Sequence, residues 1–205
     1  MRHVAILVFD DVEVLDFCGP FEVFAVCGRR SAGDAPFEVH TVAEASRPVL
    51  ARHRLSVNPT YTFRSGDAPR ADIVLVPGGF GTRREMRNPA MIEWVQRANR
   101  DAELLLSVCT GALILGAAGL LDGLEGTTHF GAYDELRTAA PGCRVRTDMR
   151  YVDTGRLITS AGVSAGIDMA LHVVARLHGD EVAQETARYM EYEGQYELAD
   201  RASAG

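Results

Sequence analysis

At 205 residues the chain is long enough to bury a hydrophobic core, and a single domain is the expectation. Its composition, 47% hydrophobic and 24% charged, is ordinary for a globular protein and excludes disordered and collagen-like readings. The net charge of −7 and the lack of any dense Lys/Arg run (Arg29-Arg30 and Arg83-Arg84 are only pairs) argue against a nucleic-acid partner.

In chain order, "HVAILVFD" (3–10) reads as a buried strand, rich in branched residues and too short for an ordinary helix. "GPFEVFAVCG" (19–28) reads as a helix with Pro20 in its first turn and Gly28 as its cap. "FEVHTVA" (37–43) alternates like a strand, and 48–63 suggests two short strands around a turn. "ADIVLVPGG" (71–79) is a second buried strand; Asn88-Pro89 then supplies an N-cap and a first-turn proline for the helix "AMIEWVQRANR". "AELLLSV" (102–108) is a third buried strand feeding a helix at 110–118, and "HFGAYDELRTAAPG" holds another helix ending before Pro141. "RYVDTGRLITSAG" gives a hairpin around Asp153-Thr154-Gly155. Helices at 164–179 and 180–193 close the pattern before a short polar tail. Apolar strands separated by helices predict an α/β fold, a mostly parallel sheet with helices on both faces. Sites in such sheets lie at the carboxyl ends of the strands, where 10–19, 77–81 and 107–111 fall together.

No signal-peptide pattern precedes "RHVAILVF", and the apolar run 104–121 is broken by Ser, Cys, Thr and glycines, so neither export nor a membrane span is expected. Cys18, Cys27, Cys109 and Cys143 have no CxxC spacing, and the six histidines show no HxH or HxxxH. Free thiols in a reducing cytoplasm and no metal are the expectation.

Cys109 stands where the third strand turns into a helix, the place of a nucleophile elbow, although Ser107 occupies a position that is glycine in the full motif. Gly111 removes a Cβ where the new helix passes its neighbours. A helix N-terminus favours a thiolate, whereas Cys is also among the most buried residue types, and spacing alone leaves both readings open. Gly78 and Gly79 could aim amides into an oxyanion-type pocket or be an ordinary glycine turn. Of the acids Asp10, Asp11, Glu13 and Asp16, the last lies between Leu15 and Phe17, where an apolar setting would raise its pKa and suit it to proton transfer. His129 follows a short β-like segment, while His172 and His178 sit on a long helix among apolar neighbours.

"LDFCGPFEVF", "DIVLVPGGFG", "SVCTGALILGAAGLLDG", "TTHF" and "AGVSAGIDMAL" together resemble the ThiJ/PfpI superfamily, class I glutamine amidotransferase-like proteins of flavodoxin-like fold. The resemblance runs from about residue 2 to 192 and makes 1–205 one domain of that type. It is closer to the isocyanide (isonitrile) hydratase branch and to the ligand domains of AraC-type regulators, whose helix-turn-helix region is not expected within these 205 residues. The resemblance implies Cys109 as the reactive cysteine, with Asp16 as the acid facing it. It also implies Gly78, Gly79 and Thr110 around the pocket, and His129 as a pocket histidine. Asp168 falls in a segment typical of the branch. A homodimer without cofactor or metal, acting on a small electrophile, is the implied state. Thr110 stands where related proteases carry a histidine, which weakens the protease and amidotransferase readings. Glyoxalase-like conversion of a 2-oxoaldehyde, with Glu13 as the nearby glutamate, and a redox-sensing or ligand-binding role are the alternatives.

Overall fold

The computed structural model describes residues 1–28 and 35–194; Arg29, Arg30 and the polar tail beyond residue 194 lie outside the described residues. The strands are β1 (Arg2–Leu7), β2 (Phe37–Ala43), β3 (Val49–Leu50), β4 (Ser56–Val57), β5 (Tyr61–Thr62) and β6 (Ile73–Val76). They continue with β7 (Leu104–Val108), β8 (Glu125–Gly126), β9 (Arg144–Val145), β10 (Tyr151–Asp153) and β11 (Leu157–Ser160). The helices are α1 (Val14–Val26), α2 (Thr82–Glu85), α3 (Pro89–Asp101), α4 (Gly111–Ala117), α5 (Tyr133–Ala139), α6 (Ala165–His178) and α7 (Asp180–Tyr189).

Seven strands form one sheet in the order β10-β11-β7-β6-β1-β2-β5, parallel throughout except for the β10–β11 hairpin. The register lines up Ile6, Leu75, Leu106 and Ile158 as one row across the four central strands, all fully buried. Strands covered on both faces need such unbroken apolar runs, which is why β1, β6 and β7 lack the polar alternation of a half-exposed strand. Helices α1, α6 and α7 pack together in one layer and α3, α4 and α5 in another, flanking the sheet. Among the described residues no helix is long and apolar enough to cross a membrane.

The α/β architecture is as expected from sequence, with boundary corrections. The first helix begins at Val14, five residues ahead of the expected start, so Pro20 lies inside it and Asp16 in its first turn. Leu15-Asp16-Phe17 is thus helical, because Phe17 and Asp16 both face the core. The short α2 and the β8–β9 pair are not anticipated by the sequence pattern; two-residue strands and a one-turn helix carry too little periodicity to read. Asn88 caps α3 as expected, its side chain accepting from the Ala90 N–H at 3.1 Å.

From β1 the chain runs outward on one side to β2 and β5, then crosses to β6 and β7 on the other. The switch point falls between β1 and β6, and the loops leaving their carboxyl ends carry Asp10–Glu13 and Pro77–Gly81.

Candidate active site

Cys109 directly follows β7 and precedes α4 by two residues. Its φ is 57°, in the left-handed region that a residue with a Cβ enters at a cost of order 1–3 kcal/mol. Several bonds hold it there. Its N–H donates to the Ser160 and Ala161 carbonyls at 3.1 and 3.2 Å, and the Thr128 hydroxyl donates to its carbonyl at 2.7 Å. Gly111 lets the turn close: a Cβ there would lie 2.1 Å from the Val76 carbonyl oxygen. The tight strand-to-helix elbow expected from "SVCTG" is therefore present.

Asp16 reaches the thiol from α1. Its carboxyl is fully buried and near enough to the Cys109 thiol for each group to shift the other's titration. The Gly78 N–H donates to Oδ2 at 3.0 Å and the Val163 N–H to Oδ1 at 3.2 Å. Burial pushes this carboxyl up to about 7, against the opposing pull of the Gly78 N–H and the Cys109 thiol. Burial, and then the charge of Asp16, push the Cys109 thiol up to about 12. The two groups titrate as a pair, holding two protons below about pH 7 and one, on sulfur, above it.

Of the two readings that spacing leaves open, burial prevails: the sulfur is desolvated beside a carboxyl group, which holds the thiol well above its usual range despite the helix start two residues on. The glycine pair is corrected. Its amides do not turn toward open space: Gly78 N–H serves Asp16, and Gly79 N–H donates to Thr110 Oγ1 at 2.9 Å. The Thr110 hydroxyl donates back to the Gly79 carbonyl at 3.1 Å, locking the two turns together. Gly78 has no room for a side chain, since a Cβ would lie 2.6 Å from the Thr110 nitrogen and 2.8 Å from Asp16 Oδ2.

The thiol faces a cavity of about 270 Å³. Gly79, Thr110, His129 and Glu13 line it beside Cys109, while Gly78 and Asp16 stand behind the sulfur and do not. His129 is half-buried, its ring against the Gly162 backbone and tilted against Phe130 with ring centroids 4.4 Å apart. Its Nδ1 accepts from the Gly131 N–H at 3.1 Å, so in the neutral ring Nε2 carries the proton. Arg83 crosses one wall and is paired with Glu135 through bonds of 2.9 and 2.6 Å. Among the described residues no group of three or more His, Cys, Asp or Glu is placed to hold a metal ion.

Sequence reasoning missed Thr128, Val163 and the Ser160 and Ala161 carbonyls. Three of the four act through backbone atoms, which no side-chain pattern reveals; only the blocks "TTHF" and "AGVSAGIDMAL" marked the regions. Asp168 lies apart from the thiol, fully buried on α6. It accepts from Arg150 Nε at 2.6 Å and from the Tyr192 hydroxyl at 3.0 Å.

The sequence profile of the DJ-1/PfpI family matches residues 2–176. An isonitrile hydratase of Pseudomonas putida is 36% identical over 190 residues, covering 93% of this chain and 78% of the relative. The HTH-type transcriptional regulator CdhR of Pseudomonas aeruginosa is 30% identical over 181 residues, 88% of this chain but only 52% of the regulator. Among solved structures, a ThiJ/PfpI family protein from Pseudomonas syringae superposes with a TM-score of 0.84 at 32% identity, over 97% of this chain and 78% of that one. Drosophila melanogaster DJ-1beta, at 18% identity and a TM-score of 0.81 over 94% of this chain and 99% of that one, shares the fold.

Proposed function

The chain belongs to the DJ-1/PfpI family, and from that premise we propose that it hydrates an isocyanide to an N-substituted formamide, with Cys109 as nucleophile and Asp16 as proton carrier. The observation that carries this reading is the pairing of Asp16 with Cys109: a buried carboxyl titrating at about 7 that acts on a protonated thiol opening on a small cavity. A general acid–base works best with a pKa near the working pH, because it must both take and give a proton there.

The terminal carbon of R–N≡C accepts both a nucleophile and a proton. Sγ of Cys109 forms the S–C bond while the thiol proton passes to Asp16, and Asp16 returns that proton to the same carbon. The product of this half is a thioimidate, R–N=CH–S–Cys109. Water then adds to the imidate carbon, one of its protons going to nitrogen. The C–S bond breaks, the formamide R–NH–CHO leaves, and sulfur regains its proton through Asp16. Water and isocyanide are consumed one for one, with no change of oxidation state. A thiol that is protonated at rest suits this chemistry, because the proton needed on carbon arrives with the nucleophile.

Glu13 on the cavity wall keeps the glyoxalase-like reading as the second choice, with Glu13 in place of Asp16 as base. The test is conversion of phenyl isocyanide and cyclohexyl isocyanide to their formamides by the wild type and by Cys109→Ala, with methylglyoxal in parallel. Formamide from the wild type alone supports the proposal. Lactate without formamide replaces it with the second reading.

A further inference from the structure

We propose that a second cleft, on the far side of Phe80 from the thiol cavity, binds an organic carboxylate with an apolar body. The cleft has a volume of about 950 Å³ and opens outside the carboxyl ends of β1 and β2, beside α2 and the start of α3. This is the crevice next to the β1/β6 switch point, where open α/β sheets take their ligands.

Its floor is apolar and deeply buried: Val8, Ala43 and Met91 are each at most 1% exposed. Its rim is cationic. Arg83 is paired with Glu135, outside the cleft; Arg47, Arg64, Arg84 and Arg87 stand against the carboxylates of Asp10, Glu44 and Glu85, an excess of one positive charge in a chain of net charge −7. Each carboxylate already has its arginine. Asp10 accepts from Arg47 at 2.7 Å, Glu85 from Arg84 at 2.8 Å, and Glu44 from Arg64. Asn88 bridges Glu44 and Glu85 at 2.8 and 3.0 Å.

The acids are thus occupied in fixing the rim, and the guanidinium of Arg87 has no hydrogen bond or ion pair among the described residues. A cation is therefore left over above an apolar floor. A planar carboxylate matches a guanidinium fork through two parallel bonds, and an attached apolar group fills the space beneath. Phe80, 61% exposed, adds an aromatic wall, with the Arg52 guanidinium 4.0 Å from its centroid. Phe80 and Arg83 also line the thiol cavity, so the two sites share a partition. The cleft uses none of Cys109, Asp16 or His129, and the proposal stands whether or not the thiol hydrates isocyanides.

Calorimetric titration with 4-phenylbutyrate, its neutral amide and inorganic phosphate tests it. The carboxylate is expected to bind saturably, about tenfold or more tighter than the amide, the factor of one charge-assisted pair. Arg87→Glu removes that preference with the melting temperature unchanged, Arg64→Gln weakens it, and Cys109→Ala binds like the wild type. Equal affinity for acid and amide overturns the proposal, as does the lack of saturable carboxylate binding in the millimolar range. Carboxylate binding undiminished in Arg87→Glu overturns the assignment to this rim, and phosphate binding as tightly as the carboxylate overturns the apolar part.

Discussion

Replacing Asp16 by Asn should change the pH dependence of stability more than stability itself. The carboxyl titrates near 3.8 when free of the fold and at about 7 within it. The folded chain therefore holds this proton more tightly than the unfolded one. The stability linked to it is complete below about pH 4, falls as pH rises, and is fully lost above about 7. At about 1.4 kcal/mol per decade, the loss across that window is about 4 kcal/mol. The substituted amide cannot ionise and escapes that loss. It does carry a cost of its own, because Gly78 and Val163 both present N–H donors and an amide has only one oxygen for them. One buried donor left unpaired costs about 1–3 kcal/mol. Asp16→Asn should thus be less stable than the wild type at pH 4 and more stable at pH 8, the two curves crossing in between. Urea denaturation at pH 4, 5, 6, 7 and 8 for both proteins isolates the difference, since other titrating groups cancel. A stability difference that stays constant over that range would refute the burial argument.

The same contacts set the outcome of other substitutions. Thr110→Val strips the Gly79 amide of its acceptor and should lower stability by about 1–3 kcal/mol, read from urea midpoints. Gly111→Ala would drive a Cβ to 2.1 Å from the Val76 carbonyl; a melting temperature close to the wild type would show that the elbow is looser than described. With its thiol pushed up to about 12, Cys109 should react slowly with iodoacetamide at neutral pH and faster as pH rises. Rapid alkylation of the Cys109 peptide at pH 7 would instead restore the redox-sensing alternative.

How much of this is legible in the sequence depends on which atoms carry the information. The long strands show as apolar runs because Ile6, Leu75 and Leu106 must be covered on both faces. Asn88-Pro89 announces α3 through its own side-chain chemistry. Cys109 and Asp16 are identifiable as candidates, the first from the strand-to-helix turn and the second from its apolar flanks. Their pairing across 93 positions is not, because only the sheet order brings the end of β7 to the start of α1. The charge state of the thiol stays open in the sequence for the same reason. A helix N-terminus is visible locally, whereas the carboxyl group that opposes it arrives from another element. The destination of the Gly78 and Gly79 amides is equally hidden, since a glycine turn looks the same whether it serves a ligand or a neighbouring side chain.

The central claim is that Cys109 carries the substrate covalently. Intact-mass spectrometry of the wild type, quenched in acid during turnover of phenyl isocyanide and followed by peptide mapping, addresses it directly. The account predicts a mass increase equal to one whole isocyanide, confined to the Cys109 peptide, absent in Cys109→Ala and forming far more slowly in Asp16→Asn. Formamide production by the wild type with no such adduct, or undiminished production by Cys109→Ala, would contradict it.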